Sequence, residues 1–246
     1  MNNKAEPEYK NLLSGKSILL SASFPSKDRD RKFYDTSDVD EIYQAIVSFV
    51  RAIFAAGGRV LFGGHPTISP LVLMVAEEYI PSNAQLRNEL KEKKQLPVSI
   101  YQSKAFGEFI PEATLSLCKW GLGEIIWTES TEKPVFVSTN VLDPNSVRES
   151  LLIMRNDMLK KNPVAAIFIG GMEGVLEESA LFKKNYPEKT MYFIGAPGGA
   201  AKILASEIDN TYSTESMLSK KELLESRNYP SLMQRIVIDI STKMSY

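Results

Sequence analysis

The sequence predicts an α/β fold in which a mainly parallel sheet is doubly wound, with helices on both faces. Two patterns carry that prediction. Short apolar runs of strand length alternate along the chain with longer segments whose apolar residues recur at helical period. The apolar runs also end in small or glycine-rich residues that lead into helices, as the strand-to-helix turns of a parallel sheet do.

Residues 1–16 are polar and read as a tail, and residues 17–246 as one domain, a length sufficient for one large core. Ser17-Ile18-Leu19-Leu20-Ser21-Ala22-Ser23 is a buried first strand opening into a loop, 24–37, whose charges predict exposure. Asp38 and Glu41 have the spacing of an acidic helix start. Ile42, Ile46, Phe49, Val50 and Ile53 then hold helical period up to Gly57-Gly58. Residues 59–62 read as the second strand, Ser69-Pro70 as a cap with proline at the first helical position, and 71–79 as the next helix.

The charged stretch 83–94 reads as either a solvated helix or an insertion reaching to 97, followed by a strand at 98–101, a helix at 113–120 and a strand at 124–128. Asp143-Pro144 is a helix-start signal for 145–160. The run 164–169 is the most apolar strand, 175–184 a helix, 191–194 a strand, 200–208 a helix, and 231–244 the closing helix. Trp120 and Trp127 read as core.

Composition narrows the function. With 29 Lys and Arg against 30 Asp and Glu, the formal charge is −1, which argues against binding nucleic acid through general basicity. The single cysteine, Cys118, cannot form an internal disulfide, and with the single histidine, His65, it is too little for an ordinary zinc site. No metal and no cofactor is expected. The polar start lacks a signal peptide's apolar core and no run suits a membrane span, so a cytoplasmic location without membrane association is expected.

Ligands of such sheets bind at the carboxyl ends of the strands. Four of those ends carry small loops: Ser21-Ala22-Ser23, Gly63-Gly64-His65-Pro66-Thr67, Gly170-Gly171-Met172-Glu173-Gly174 and Gly195-Ala196-Pro197-Gly198-Gly199. Glycine admits a ligand to the backbone, and helix N-termini favour anions, so the set suits a phosphate-bearing ligand. Neither the dinucleotide fingerprint nor the phosphate-loop motif is present. At helical period Arg155 falls between Leu151, Leu152 and Leu159, and Arg148 shares that face. An inward guanidinium needs an anion, either a phosphate or an internal carboxylate such as Glu173, Glu177 or Glu178. Glu173, Glu177 and Glu178 at a helix start suit the dipole, ribose hydroxyls or activation of a water. Cys118 reads as a small buried residue.

These residues resemble the SLOG superfamily, the Rossmann-like group that includes LONELY GUY phosphoribohydrolases, Smf/DprA proteins and nucleotide-sensing domains of bacterial defence systems. In the enzymes an arginine on a helix precedes a strand and Pro-Gly-Gly-x-Gly-Thr-x-x-Glu. Here Arg155 precedes residues 164–169 and Gly170-Gly171-Met172-Glu173-Gly174-Val175-Leu176-Glu177-Glu178. The resemblance implies catalytic roles for Arg155 and Glu178. It implies ligand contacts from Ser21, Ser23, Gly63, Gly64, His65, Thr67, Gly170, Gly171, Glu173 and Gly174. Ile169 stands in place of the proline, an extra residue separates Gly171 from Gly174, and Val175 replaces the threonine. Those departures resemble the sensor branches.

The expected function is therefore binding or sensing of a nucleotide-derived small molecule, in bacterial antiphage or stress signalling, with an effector protein as partner. A nucleotide N-glycosidase is the alternative, and a TIR-like NAD hydrolase a third reading. By analogy with the fold, a homo-oligomer is expected.

Overall fold

The structure is a computed structural model and describes residues 9–93, 95–131, 133–138, 141–207 and 217–244. Its centre is a six-stranded parallel sheet made of β1 (Ser17–Ser23), β2 (Arg59–Gly63), β3 (Val98–Ser103), β4 (Glu124–Thr128), β7 (Ala165–Gly170) and β8 (Met191–Ile194). The order is β4-β3-β2-β1-β7-β8, and a separate hairpin pairs β5 (Phe136–Ser138) with β6 (Val141–Leu142). The chain thus steps outward from β1 to β4, returns, and resumes at β7 on the other side of β1. That reversal is the topological switch point. There Ser23 pairs with Gly170, so the small residues ending both strands lie side by side.

The helices are α1 (Arg31–Tyr34), α2 (Val39–Ala55), α3 (Ile68–Ala76), α4 (Ala84–Glu92), α5 (Glu112–Lys119), α6 (Arg148–Leu159), α7 (Glu173–Asn185), α8 (Gly199–Glu207), α9 (Lys220–Glu225) and α10 (Tyr229–Lys243). Strand side chains alternate between faces. Ile18, Leu20, Val60, Phe62, Ile100 and Ile167 enter one core with α2, α3, α5 and α10. Leu19, Leu61, Tyr101, Ala166 and Phe168 enter the other with α6, α7 and α8. Two cores sandwiching one sheet are what the unbroken apolar runs require, because a strand covered on both faces has no polar side.

Local chemistry sets the boundaries. Asp38 caps α2, its carboxylate accepting the Glu41 N–H at 3.0 Å. The charged stretch after residue 82 forms α4, capped by Asn83, with no buried residue. Arg87 ties this helix down by donating to the carbonyls of Pro81, Ser82 and Trp120.

Several expectations are corrected. α3 begins at Ile68 rather than after Ser69-Pro70, and Ser69 instead accepts the His65 N–H through its hydroxyl at 3.1 Å. Pro70 then sits in the first turn, where its missing N–H breaks no intrahelical bond. Residues 144–147 form a tight 3-10 turn before α6, and Asp143 accepts the Asn145 N–H at 2.9 Å. The loop after β1 is not wholly exposed, since α1 buries Phe33 completely. Trp120 and Trp127 are not core: they are 59 % and 42 % exposed, the second on the edge strand β4. The sequence pattern did not foresee α9 or the β5–β6 hairpin, both too short to establish a period.

Candidate functional site

A cavity of about 1060 Å³ opens at the carboxyl ends of the strands, over the switch point. Its wall contains Ser21, Ser23, Gly63, Gly64, His65, Arg155, Glu173, Gly174 and Glu178 of the residues singled out from the sequence. Thr67, Gly170 and Gly171 lie outside the lining. So does the loop 195–199, which packs behind the switch point, with Pro197 accepting the Asp38 N–H at 2.9 Å. Three of the four small loops therefore reach the cavity.

β1 delivers Ser21, 1 % exposed, whose hydroxyl has no hydrogen-bond partner among the described residues. A buried hydroxyl left unpaired costs about 1–3 kcal/mol, which a ligand oxygen would recover. β2 delivers Gly63 and Gly64. A Cβ on Gly64 would stand 1.9 Å from Gln102 Oε1, so a side chain here would displace the amide lying against it. At Gly171, φ is +82° and a Cβ would meet Val175 Cγ2 at 2.2 Å. The glycine there makes the turn from β7 into α7.

His65 follows the two glycines. Its Nδ1 accepts the Thr67 N–H at 3.3 Å and lies 2.9 Å from the Thr67 hydroxyl. Thr67 thus serves the histidine rather than the cavity, and Nε2 is left as the ring's donor. Burial, with Arg29 adding repulsion, pushes the imidazole down to about 4, so His65 is neutral at physiological pH.

α6 and α7 bring the charged groups together. Arg155 is 8 % exposed and ends in a double ion pair: Nη1 on Glu177 Oε2 at 2.5 Å and Nε on Glu178 Oε1 at 3.2 Å. The internal-carboxylate option for this arginine is the one realised. Gly174 makes room for it, since a Cβ there would lie 2.9 Å from Arg155 Nη2. Glu173 instead pairs with Lys32 at 3.4 Å, both side chains more than half exposed, a contact worth little.

Sequence reasoning missed Arg29, Gln102 and Thr114, all in the wall, and gave Arg148 no committed role there. Arg29 and Arg148 carry no ion pair among the described residues, unlike Arg155. Arg29 was hidden in a loop whose charges read as solvated. Gln102 sits one residue past the apolar part of β3, where a polar residue looks like a strand end. The thiol of Cys118, raised to about 11 by burial and by Glu124, is protonated at neutral pH and outside this wall. Among the described residues no group of three or more His, Cys, Asp or Glu could hold a metal ion. No described helix is long and apolar enough to cross a membrane.

A doubly wound parallel sheet with a large, glycine-edged and arginine-bearing cavity over its switch point defines a Rossmann-like protein, with that cavity where such sheets bind their ligands. The chain matches the SLOG cluster3 family over residues 32–237 and belongs to that family, whose membership suggests nucleotide-related binding. The X-ray structure of TM1055, a structural genomics target, is similar at 13 % identity with a TM-score of 0.48, over 85 % of this chain and 89 % of that one. No curated protein matches.

Proposed function

We propose that this protein binds a nucleotide or nucleotide-sugar phosphate intact and acts as a sensor, passing occupancy to an effector in bacterial antiphage or stress signalling. The observation that carries this reading is the closure of Arg155 onto Glu177 and Glu178. A glycosidase would use Arg155 to orient the phosphate and Glu178 to activate water or steady an oxocarbenium ion. With the guanidinium neutralised by two carboxylates, Arg155 instead fixes Glu178 as an acceptor, suited to ribose hydroxyls. Phosphate then falls to the two cavity arginines without ion pairs, Arg29 and Arg148, with the Ser21 hydroxyl and His65 Nε2–H as neutral donors. Departure from the enzymes' motif at Ile169 and Val175 supports the same reading.

The test is incubation of purified protein with AMP, NAD, ADP-ribose, its cyclic isomers and cyclic dinucleotides, then ultrafiltration and mass spectrometry of both fractions. A compound retained intact is the expected result. Arg29→Ala and Arg148→Ala should each weaken its retention about 10-fold, the loss of one hydrogen bond to a charged group. Release of free base and ribose phosphate, abolished by Glu178→Gln, would replace the sensor with a hydrolase.

A further inference from the structure

The wall contributed by residues 100–125 differs from the rest of the cavity because it carries no charged side chain. Ile100, Phe106, Ile110, Pro111 and Ile125 make it apolar. Two polar side chains break that surface. Gln102, at the end of β3, is 9 % exposed and makes no side-chain hydrogen bond to another described residue. Thr114, near the start of α5, is 2 % exposed, and its hydroxyl has no partner among the described residues. The amide of Gln102 lies directly against the backbone of Gly64. Gly64 offers it a bare Cα, where any Cβ would lie 1.9 Å from Oε1.

An unpartnered, nearly buried carboxamide inside a ligand cavity is poised for a ligand group, since such groups seldom go unpaired in a finished interior. β3 stands three strand spacings from β7, about 14 Å at the usual separation. The apolar wall is thus displaced from Met172, Glu173 and Gly174, which follow β7 in the same cavity, by the reach of a mononucleotide rather than of a phosphate alone.

We propose that Gln102 reads the base of the bound nucleotide, and this rests on the nucleotide-binding reading above. A carboxamide sets a donor beside an acceptor, the complement of adenine's amino group and adjacent ring nitrogen. The apolar side chains receive the two faces of the ring. Adenine is favoured over guanine because it has fewer polar groups to leave unpaired among them. Gln102 is in this sense a specificity-determining residue, and Gly64 the position that seats it.

The test measures affinities of AMP, GMP, purine riboside 5′-monophosphate and ribose 5-phosphate for the full chain and for Gln102→Met, by calorimetry. Purine riboside monophosphate lacks only the amino group. The wild type should prefer AMP to it by roughly 10–100-fold, the usual discrimination of one bidentate pair. Gln102→Met should bind the two alike and bind ribose 5-phosphate as the wild type does. If Gln102→Met does not fold, Gln102→Leu replaces it, because it too removes the carboxamide's donor and acceptor. A variant that keeps the wild-type preference overturns the role of Gln102. A wild type that binds nucleotides without telling AMP from its desamino analogue also overturns that role and leaves nucleotide binding standing. A wild type that binds none of the four overturns the role of Gln102, and the nucleotide-binding reading falls with it only if NAD, ADP-ribose, its cyclic isomers and cyclic dinucleotides are not retained either.

Discussion

Replacing Arg155 by methionine keeps a long, flexible side chain between α6 and α7 and removes the charge. In the wild type Nε lies 3.2 Å from Glu178 Oε1, which at an effective dielectric constant of 20 corresponds to an attraction of about 5 kcal/mol before desolvation. Desolvation offsets part of this, because both side chains are largely buried, at 10 % and 15 % exposure. Glu177, 45 % exposed, recovers water when the arginine is lost and adds less than about 1 kcal/mol. What remains is one mostly buried carboxylate without its partner. The cost of that state is about 3–5 kcal/mol in buried pairs, and the lower end applies here because Glu178 retains some solvent contact. For a chain of this length, about 3 kcal/mol corresponds to a fall in Tm of about 6–12 °C.

The assay is thermal and urea unfolding of the wild type, Arg155→Met, Glu178→Gln and the double variant. If the loss comes from the stranded charge, Glu178→Gln should return at least about 1.5 kcal/mol in the Arg155→Met background, a coupling that the cycle isolates. An Arg155→Met protein within about 1 kcal/mol of wild type, or a double variant no more stable than Arg155→Met, would refute the account of this triad.

Asp239 on α10 is 1 % exposed and accepts from Tyr192 on β8 at 2.5 Å, the Met217 N–H at 2.7 Å and Lys243 at 3.0 Å. Burial alone would raise its carboxyl, but these donors outweigh burial and hold it below the ordinary value. Its stabilisation is therefore present above the unfolded value near 4 and lost as pH falls through the folded value. Asp239→Asn should cost about 2–3 kcal/mol at pH 7 and progressively less below about pH 4, read from Tm against pH; a gap constant with pH would sink the argument. His65 is the sole histidine, so its imidazole proton signals are unambiguous. They should titrate near pH 4 in the folded protein, and because the unfolded ring titrates near 6.5, folding loses stability as pH falls through that window. A midpoint near 6.5 would mean that the ring is solvated.

The parts of this protein that could be read from its sequence are those governed by short-range pattern. β1, β4 and β8 have the predicted bounds, and α2 starts where Asp38 and Glu41 indicate. In each, the period of apolar residues or a side chain a few positions away supplies the deciding interaction. The inward position of Arg155 followed from helical geometry in the same way. Its partner did not, because Glu173, Glu177 and Glu178 lie within the first two turns of one helix, and only the packing of α6 against α7 brings Glu177 and Glu178 onto the guanidinium while Glu173 goes to Lys32. The two tryptophans show the converse error. Their apolarity suggested core, but Trp120 caps the C-terminus of α5 and Trp127 lies on β4, an edge strand by a sheet order that no local window contains.

The cavity divides along the same line. Glycines and small residues at the ends of β1, β2 and β7 marked one side of it in the sequence, since backbone turns of that kind need those residue types. Gln102, Thr114 and Arg29 are ordinary polar residues whose neighbours in sequence carry no signal. They come to line one cavity only because parallel strands with right-handed crossovers bring residues from distant segments to one edge. Local period and turn chemistry thus determine which elements form and where they end. Which side chains face one another across the cavity, which charges are already paired and which polar groups are left for a ligand are decided by long-range packing.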